Sequence, residues 1–388
     1  MSFRWVAGVA LLLVSTAGEA GRAQVEKRMW VDAKQRKVRT QHSEISRVAQ
    51  RSRGAVVAIT TRTEPSVEAA AATGDAEPQK GLGSGFLIHP DGYILTSSHV
   101  IEGADEITIS LLTPSGVPEE YTAEVVGQDA QTDCALLKID AGRKLPILKL
   151  GSAKEVQIAD WVVVIGNPFG LAHSVTVGVV SYKGRTDVVP SGRSGYFDYL
   201  QTDASINPGN SGGPVLDLHG DVIAIANAVN VSGQGIAFAI PIDMAKQVLP
   251  DLWTLGKVRR GWMGVSVQDL TPDIAGTVGM RSYAGVFVSE VMEDSPASRA
   301  GLRVGDVITG VDRSTVRKSH TLRWKVATSD AGEVVALQVR RRGRPLSVRV
   351  KLEDMPSEEA PAEEILAGGP QPDERPDRAV SGRIPTKP

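Results

Sequence analysis

Short apolar runs rich in Val and Ile, separated by turn residues, organise the middle of this chain. Phe86–Ile88 and Tyr93–Thr96 flank "HPDG". There Pro fixes φ, Asp bonds its own backbone and Gly accepts positive φ, which is hairpin chemistry. Further strands are predicted at Ile107–Leu112, Ala123–Gly127, Ala135–Ile139, Trp161–Ile165, Ser174–Ser181, Val222–Ala226 and Gly235–Ile240. So many short strands exceed one seven-stranded sandwich and point to paired β-barrels.

The period then changes. "IDMAKQVLPDLWTLGK" reads as an amphipathic helix with Asp243 as N-cap, closing the first domain over 55–254. A second unit, 260–353, opens with "GWMGVSV" and contains "EDSPASRAGLRVGDVITGV". Ser295 caps a helix whose first position is Pro296, and Gly301 ends it in a left-handed conformation. A helix at His320–Thr328 and strands at Val334–Arg340 and Ser347–Lys351 complete a small α/β module. Thr63–Lys80, rich in Ala, Pro, Gly and acids, reads as a mobile surface loop, and a short helix is expected near Ser43–Arg51 within the segment 24–54. The tail, 354–388, lacks an apolar period and reads as disordered.

Composition narrows the function. A net charge of -2 gives no reason to expect nucleic acid. The single cysteine, Cys134, excludes an internal disulfide, and no metal-ligand spacing or cofactor motif occurs, so neither a metal nor a cofactor is expected. Residues 1–23 combine Arg4, the apolar stretch Val6–Val14 and small residues suited to cleavage, which is the pattern of a secretory signal. The exported protein then works in the periplasm or outside the cell; left uncleaved, the segment is a membrane anchor.

"INPGNSGGPV" packs glycines and prolines around Ser211. A serine hydroxyl is a poor nucleophile unless a base stands in reach and donors stabilise the oxyanion it creates. Gly209 lets the backbone turn so that the Gly209 and Ser211 amides face one cavity. Alone, the segment also fits a glycine-rich hairpin loop with an incidental serine. Of six histidines, His99 follows the hairpin that ends in "ILTSSHV", and His173, after "IGNPFGL", is its one competitor. "GQDAQTDCALLKI" offers the orienting acid: Asp133 immediately precedes a buried-looking strand, whereas Asp129 reads as a turn former. The order His99, Asp133, Ser211 is the chymotrypsin order.

Together "TSSHV", "TDCALLKI", "IGNPFGL", "VTVGVVSYKGR", "QTDASINPGNSGGPV" and "GIAFAIPI" resemble the HtrA/Deg serine proteases, and the module after them resembles a single PDZ domain. The resemblance implies a mainly β fold, a chymotrypsin-like double β-barrel followed by a small α/β PDZ domain. It also implies ATP-independent cleavage of unfolded or damaged polypeptides in the cell envelope. By motif position His99 is the general base, Asp133 its orienting acid and Ser211 the nucleophile, with Gly209, Asn210 and Ser211 forming the oxyanion-hole segment. Ile206 lines the specificity pocket, together with Ala228. In the PDZ module the Trp262, Met263 and Gly264 amides hold a peptide's terminal carboxylate, and Leu322 and Val326 form the pocket for its last side chain; an i, i+4 apolar pair is equally an ordinary core stripe. The family's building block is a homotrimer. Ser97 and Ser98 stand where many members carry asparagines. A peptide-binding holdase whose triad seldom assembles is the rival reading.

Overall fold

A computed structural model describes residues 42–65, 78–113, 116–167, 173–186, 188, 195–227, 235–280 and 283–356. The chain divides into two units, 1–43 and 44–388. The signal segment, most of the loop expected between Thr63 and Lys80, the tail beyond 356 and Ala228 lie outside the described residues.

Helix α1 (Glu44–Ser52) precedes a seven-stranded antiparallel sheet. Its strands are β1 (Val56–Thr63), β2 (Gln79–His89), β3 (Tyr93–Thr96), β4 (Glu106–Leu112), β5 (Pro118–Thr122), β6 (Glu124–Asp129) and β7 (Cys134–Lys138). They lie in the order β5-β4-β1-β2-β3-β7-β6. Only Ala123 separates β5 from β6, although they stand at opposite ends of the sheet, so the sheet must curl until its ends meet. Strands β8 (Trp161–Gly166), β9 (Ser174–Arg185), β10 (Tyr199–Thr202), β11 (Pro214–Leu216), β12 (Val222–Asn227) and β13 (Ala237–Pro241) form a closed barrel.

The strand of the first hairpin is longer than expected, running from Gln79 rather than Phe86. Its glycines are packing sites: a Cβ at Gly83 would stand 2.4 Å from Val100 Cγ1, and one at Gly85 2.8 Å from Ile94 Cγ2.

The continuous apolar runs are explained by two cores. Along β8, Val162 and Val164 face the interior of the closed barrel, whereas Val163 and Ile165 join the larger cluster shared with the first sheet. Both faces of the strand are thus buried, which favours β-branched residues without polar alternation. Helix α2 (Ser98–Ile101) follows β3, and helix α3 (Ile242–Leu255) packs into the larger core through Ile242, Met244, Ala245, Val248 and Leu252. Asp243 is not the N-cap of α3: Pro241 holds that position, and the Asp243 carboxylate accepts from the Ala153 amide (2.7 Å) and the Ser152 hydroxyl (3.0 Å). It ties the helix start to a loop instead.

The C-terminal module has its own core, including Met263, Leu322, Val326 and Leu337. Strands β14 (Gly261–Trp262), β15 (Val265–Asp269), β16 (Val286–Val291), β17 (Val307–Val311), β18 (Ser314–Thr315), β19 (Val334–Arg341), β20 (Arg344–Lys351) and β21 (Glu353–Asp354) surround α4 (Pro272–Thr277), α5 (Pro296–Arg299) and α6 (Ser319–Ala327). Ser295 caps α5 by accepting from the Ser298 amide, with Pro296 at the start and Gly301 beyond its end at φ +81°. In the main sheet β15 is an edge strand.

Candidate active site

Asp133 lies between β6 and β7 with φ 55°, a left-handed conformation that Asp tolerates better than most residues. The turn places its carboxylate against the start of α2. Oδ1 accepts from the His99 backbone amide (2.8 Å) and Oδ2 bonds His99 Nδ1 (2.7 Å). Such a pairing fixes the ring tautomer and leaves Nε2 as the ring's basic nitrogen. The His99 side chain is 27% exposed and that of Asp133 9%, so the imidazole is reachable while the carboxylate is shielded.

One further residue bonds the Asp133 carboxylate, a second holds that residue in place, and neither stands out in the sequence. The Asn227 side-chain amide, at the end of β12, donates to Asp133 Oδ2 (3.0 Å) and to the Tyr199 hydroxyl (3.3 Å). Burial, and next the nearby Asp133 carboxylate, push the Tyr199 phenol above its ordinary range, so it stays protonated. Burial and Asp133 likewise raise the Cys134 thiol, which remains an inert core group. No local signal marks Asn227: it closes the strand Val222–Asn227, and the carboxylate it bonds is 94 residues away in sequence.

The Ser211 loop meets this arrangement from the second barrel. The Gly212 amide donates to Ala226 O (2.8 Å), beside Asn227. A Cβ at Gly212, where φ is +82°, would stand 2.2 Å from Thr96 Oγ1 and 3.0 Å from the Ser97 amide, two residues before His99. Only glycine permits that approach. Asn210 N donates to Asn207 O (2.9 Å), and Gly209 at the third position has φ +97°, which defines a type II turn over Asn207–Asn210. The Gly209 amide has no acceptor among the described residues and is available to a ligand.

Ile206 is partly buried against the closed-barrel core that includes Ala204, Ala226 and Ala239. His173 is placed elsewhere, with Nε2 2.9 Å from the Val56 carbonyl. Asp129 is more than a turn former: buried at the end of β6, it accepts from the Thr132 amide (3.2 Å) and pairs with Arg260 (2.6 Å). The Arg260 guanidinium also lies 5.2 Å from the centre of the Tyr196 ring, which in turn contacts Trp324 on α6 at 5.6 Å.

In the C-terminal module Met263 is buried, and Gly264 has φ +74° with its Cβ position 2.3 Å from Ser295 Cβ. Leu322 and Val326 are buried in the module's core, as an ordinary i, i+4 stripe would be. Trp262 pairs with Glu353 in the two-stranded ladder of β14 and β21. No group of three or more His, Cys, Asp or Glu among the described residues is arranged to hold a metal ion, and no described helix is long and apolar enough to cross a membrane.

Comparison with known proteins agrees with this architecture. Residues 83–225 match the trypsin-like peptidase domain and residues 261–352 the PDZ domain. A probable periplasmic serine endoprotease, DegP-like, of Pseudomonas putida (strain W619) is 44% identical over 284 residues, which is 72% of this chain and 57% of that protein. The protein of the same description from Halomonas elongata is 41% identical over 326 residues, covering 81% of this chain and 67% of its own length. Against the P. putida protein, then, the chain spans little more than half the relative's length. Among solved structures, the HtrA-type protease AlgW superposes with a TM-score of 0.69 at 36% identity, covering 81% of this chain and 99% of that one. The chain belongs to the HtrA-type serine proteases, with a trypsin-like peptidase domain followed by a PDZ domain.

Proposed function

We propose that this chain is an exported, ATP-independent serine endopeptidase that cuts unfolded or damaged polypeptides in the cell envelope. The observation that carries the reading is the Asp133 carboxylate bonded at once to the His99 ring and to its backbone amide, beside a serine loop whose Gly209 amide has no acceptor among the described residues.

His99 Nε2 takes the Ser211 proton as the hydroxyl attacks the scissile carbonyl, and Asp133 stabilises the imidazolium. The Gly209 and Ser211 amides, on the segment through Asn210, receive the oxyanion. His99 then returns the proton to the leaving amine, and water releases the acyl group by the same steps in reverse. Ile206 and Ala228 line a primary pocket of apolar character. Such a pocket discriminates by only about 1–3 kcal/mol per methylene, so cleavage is broad.

The PDZ domain binds peptide C-termini at the Trp262–Gly264 amides, the peptide pairing with the edge strand β15 and its last side chain meeting Leu322 and Val326. AlgW has been solved with a tripeptide and with a decapeptide, which supports a peptide ligand here. Arg260, leading into the PDZ domain and paired with Asp129 near the catalytic acid, is a route by which occupancy is felt at the active-site loops. The working assembly is a homotrimer or a multiple of it. The relatives named periplasmic endoproteases, with the signal at residues 1–23, support the periplasm as the location.

The purified protein is expected to digest an unfolded model substrate and to be labelled by a fluorophosphonate at Ser211, and Ser211→Ala to lose both while keeping its fold. Activity persisting in Ser211→Ala refutes the assignment. A wild-type protein that resists the label even with activating peptide or heat is instead a peptide-binding holdase.

A further inference from the structure

Ser84, on β2 of the first sheet, is fully buried and uses every polar atom it has on the second barrel's loops or on its own hairpin. Its hydroxyl donates to Gly209 O (2.6 Å) and accepts from the Asn167 amide (2.8 Å). Its amide donates to Ser211 O (2.8 Å), and its carbonyl accepts from Thr96 Oγ1 (2.7 Å). One residue therefore grips the two carbonyls that flank the proposed oxyanion donors.

We infer that Ser84 is a positioning residue for the oxyanion hole, its hydroxyl holding the Gly209 carbonyl so that the Gly209 amide stays aimed at the reacting centre. The inference rests on the peptidase reading and deepens it.

Peptide planarity makes the grip effective, because the C=O and N–H of one trans peptide point to opposite sides. The Gly209–Asn210 peptide is fixed at both ends, by Ser84 Oγ on its oxygen and by Asn207 O on its N–H. The Ser211–Gly212 peptide is fixed by the Ser84 amide on its oxygen and by Ala226 O on its N–H (2.8 Å). Between them, Asn210 O accepts from the Gly213 amide (2.9 Å), which turns the Ser211 N–H to the opposite side. Gly209 itself is the permissive point, since glycine adopts either sign of φ at little cost. Without the hydroxyl the buried Gly209 carbonyl and the Asn167 amide both lose their partner, and rotation about Gly209 is the easiest relief. Because the hydroxyl also accepts from Asn167, donation to Gly209 is strengthened by the bond it receives. Ser84 never touches substrate; it acts through Gly209.

The test compares full-length wild type with Ser84→Ala and Ser84→Cys, the thiol being a weaker donor of similar shape. Ser84→Ala is expected to lower kcat roughly ten- to hundredfold with KM within about twofold, since loss of a whole oxyanion donor costs more than its misorientation. Affinity for a peptide boronate, whose tetrahedral adduct places an oxygen in the hole, falls in parallel with kcat, whereas the pH profile of kcat/KM keeps its shape. Ser84→Cys lies between the two, and serves alone if the alanine variant does not fold. A role confined to packing lowers the melting temperature without this split. Unchanged kcat and boronate affinity in a folded Ser84→Ala overturns the inference. If the wild type itself neither cleaves nor takes a fluorophosphonate, the peptidase reading is what fails. The crystal structure of Ser84→Ala then still decides: an Asn207–Asn210 turn with Gly209 unmoved overturns the inference, and a rotated Gly209 peptide supports it.

Discussion

The serine loop and the PDZ edge treat backbone polar groups in opposite ways. Around Ser211 the carbonyls of Gly209, Asn210, Ser211 and Gly213 all have internal donors: Ser84 Oγ, Gly213 N, Ser84 N and Ala226 N. Strand β15 is paired on one side only, with β16, and α6 packs alongside. A site that stabilises a transition state must be finished before substrate arrives, because reorganisation at the moment of reaction would consume the advantage. A site that accepts a strand must be left open for the ligand's own hydrogen bonds. On the proposed roles of the two regions, the same chain holds a preorganised loop in one domain and an open edge in the other.

The sharpest way to break the finished site is Asp133→Asn. Both oxygens of Asp133 face donors, Oδ1 the His99 amide and Oδ2 the His99 ring and Asn227. An amide in either orientation sets its NH2 against one of them. The expected loss in kcat is roughly ten-thousandfold, measured on an unfolded protein substrate, with little change in melting temperature. A loss under about tenfold would separate the acid from the chemistry.

How much of this was readable in the sequence follows from the range of the contacts. Strands with runs of β-branched residues, such as Val222–Ala226, announce themselves because both faces are buried. Strand β5, "PEEYT", does not: it is an edge strand with no fully buried residue, and its pairing with β4 gives no apolar signal. In strand β2 the apolar run marks only Phe86–Ile88, whereas the strand begins at Gln79 and the glycines before Phe86 serve close packing against Val100 and Ile94. His99, Asp133 and Ser211 stand out by residue type and local punctuation. Asn227 and Ser84 do not, since their partners lie 94 and 125 residues away and only the fold joins them. Asp129 and Arg260 are 131 residues apart, and nothing local marks either as half of a buried pair.

That pair offers the next test, since it joins the end of β6 in the first sheet to the residue that leads into β14. Arg260→Ala leaves the Asp129 carboxylate buried with only Thr132 as donor, and removes the cation over Tyr196. Breaking one side of a buried ion pair costs about 3 kcal/mol or more, to be read from urea denaturation. Arg260→Met, which fills the space, is expected to be as costly, because the stranded charge is the larger penalty. The double replacement Arg260→Met with Asp129→Leu should recover much of the loss. Equal stability of wild type and Arg260→Ala would remove the pair from any coupling between the domains.

A smaller effect is expected at Gly264→Ala, in the open site. The residue has φ +74° and its Cβ would lie 2.3 Å from Ser295 Cβ, on the residue that caps α5. The backbone strain alone is on the order of 1 kcal/mol, and the clash moves the loop whose amides are proposed to hold a carboxylate. Affinity for a C-terminal peptide, followed by fluorescence anisotropy, should fall roughly tenfold or more, each tenfold being about 1.4 kcal/mol. Unaltered affinity would place the peptide elsewhere.

The smallest expected effect concerns pH and separates the two regions by their titration. His320, on α6 beside the open edge, has its pKa lowered from the ordinary 6.5, chiefly by burial; Asp198 and Asp269 oppose the shift, while Arg323 and Lys318 reinforce it. Asp198 is itself held above the ordinary carboxylate range by burial. A histidine whose pKa is lower folded than unfolded takes up its proton more readily once the chain opens, so stability falls as pH drops from about 6.5 towards the lower folded value. The buried Asp198 acts in the opposite sense, its ionised form being the costly one, and therefore moderates the loss further down. Urea midpoints measured between about pH 7.5 and pH 5.5 should decline in the wild type and decline less in His320→Gln. Because α6 supports the edge strand, C-terminal peptide affinity should weaken over the same interval. Parallel curves for the two proteins would remove His320 from the pH response and leave the open edge without a titrating group on that helix.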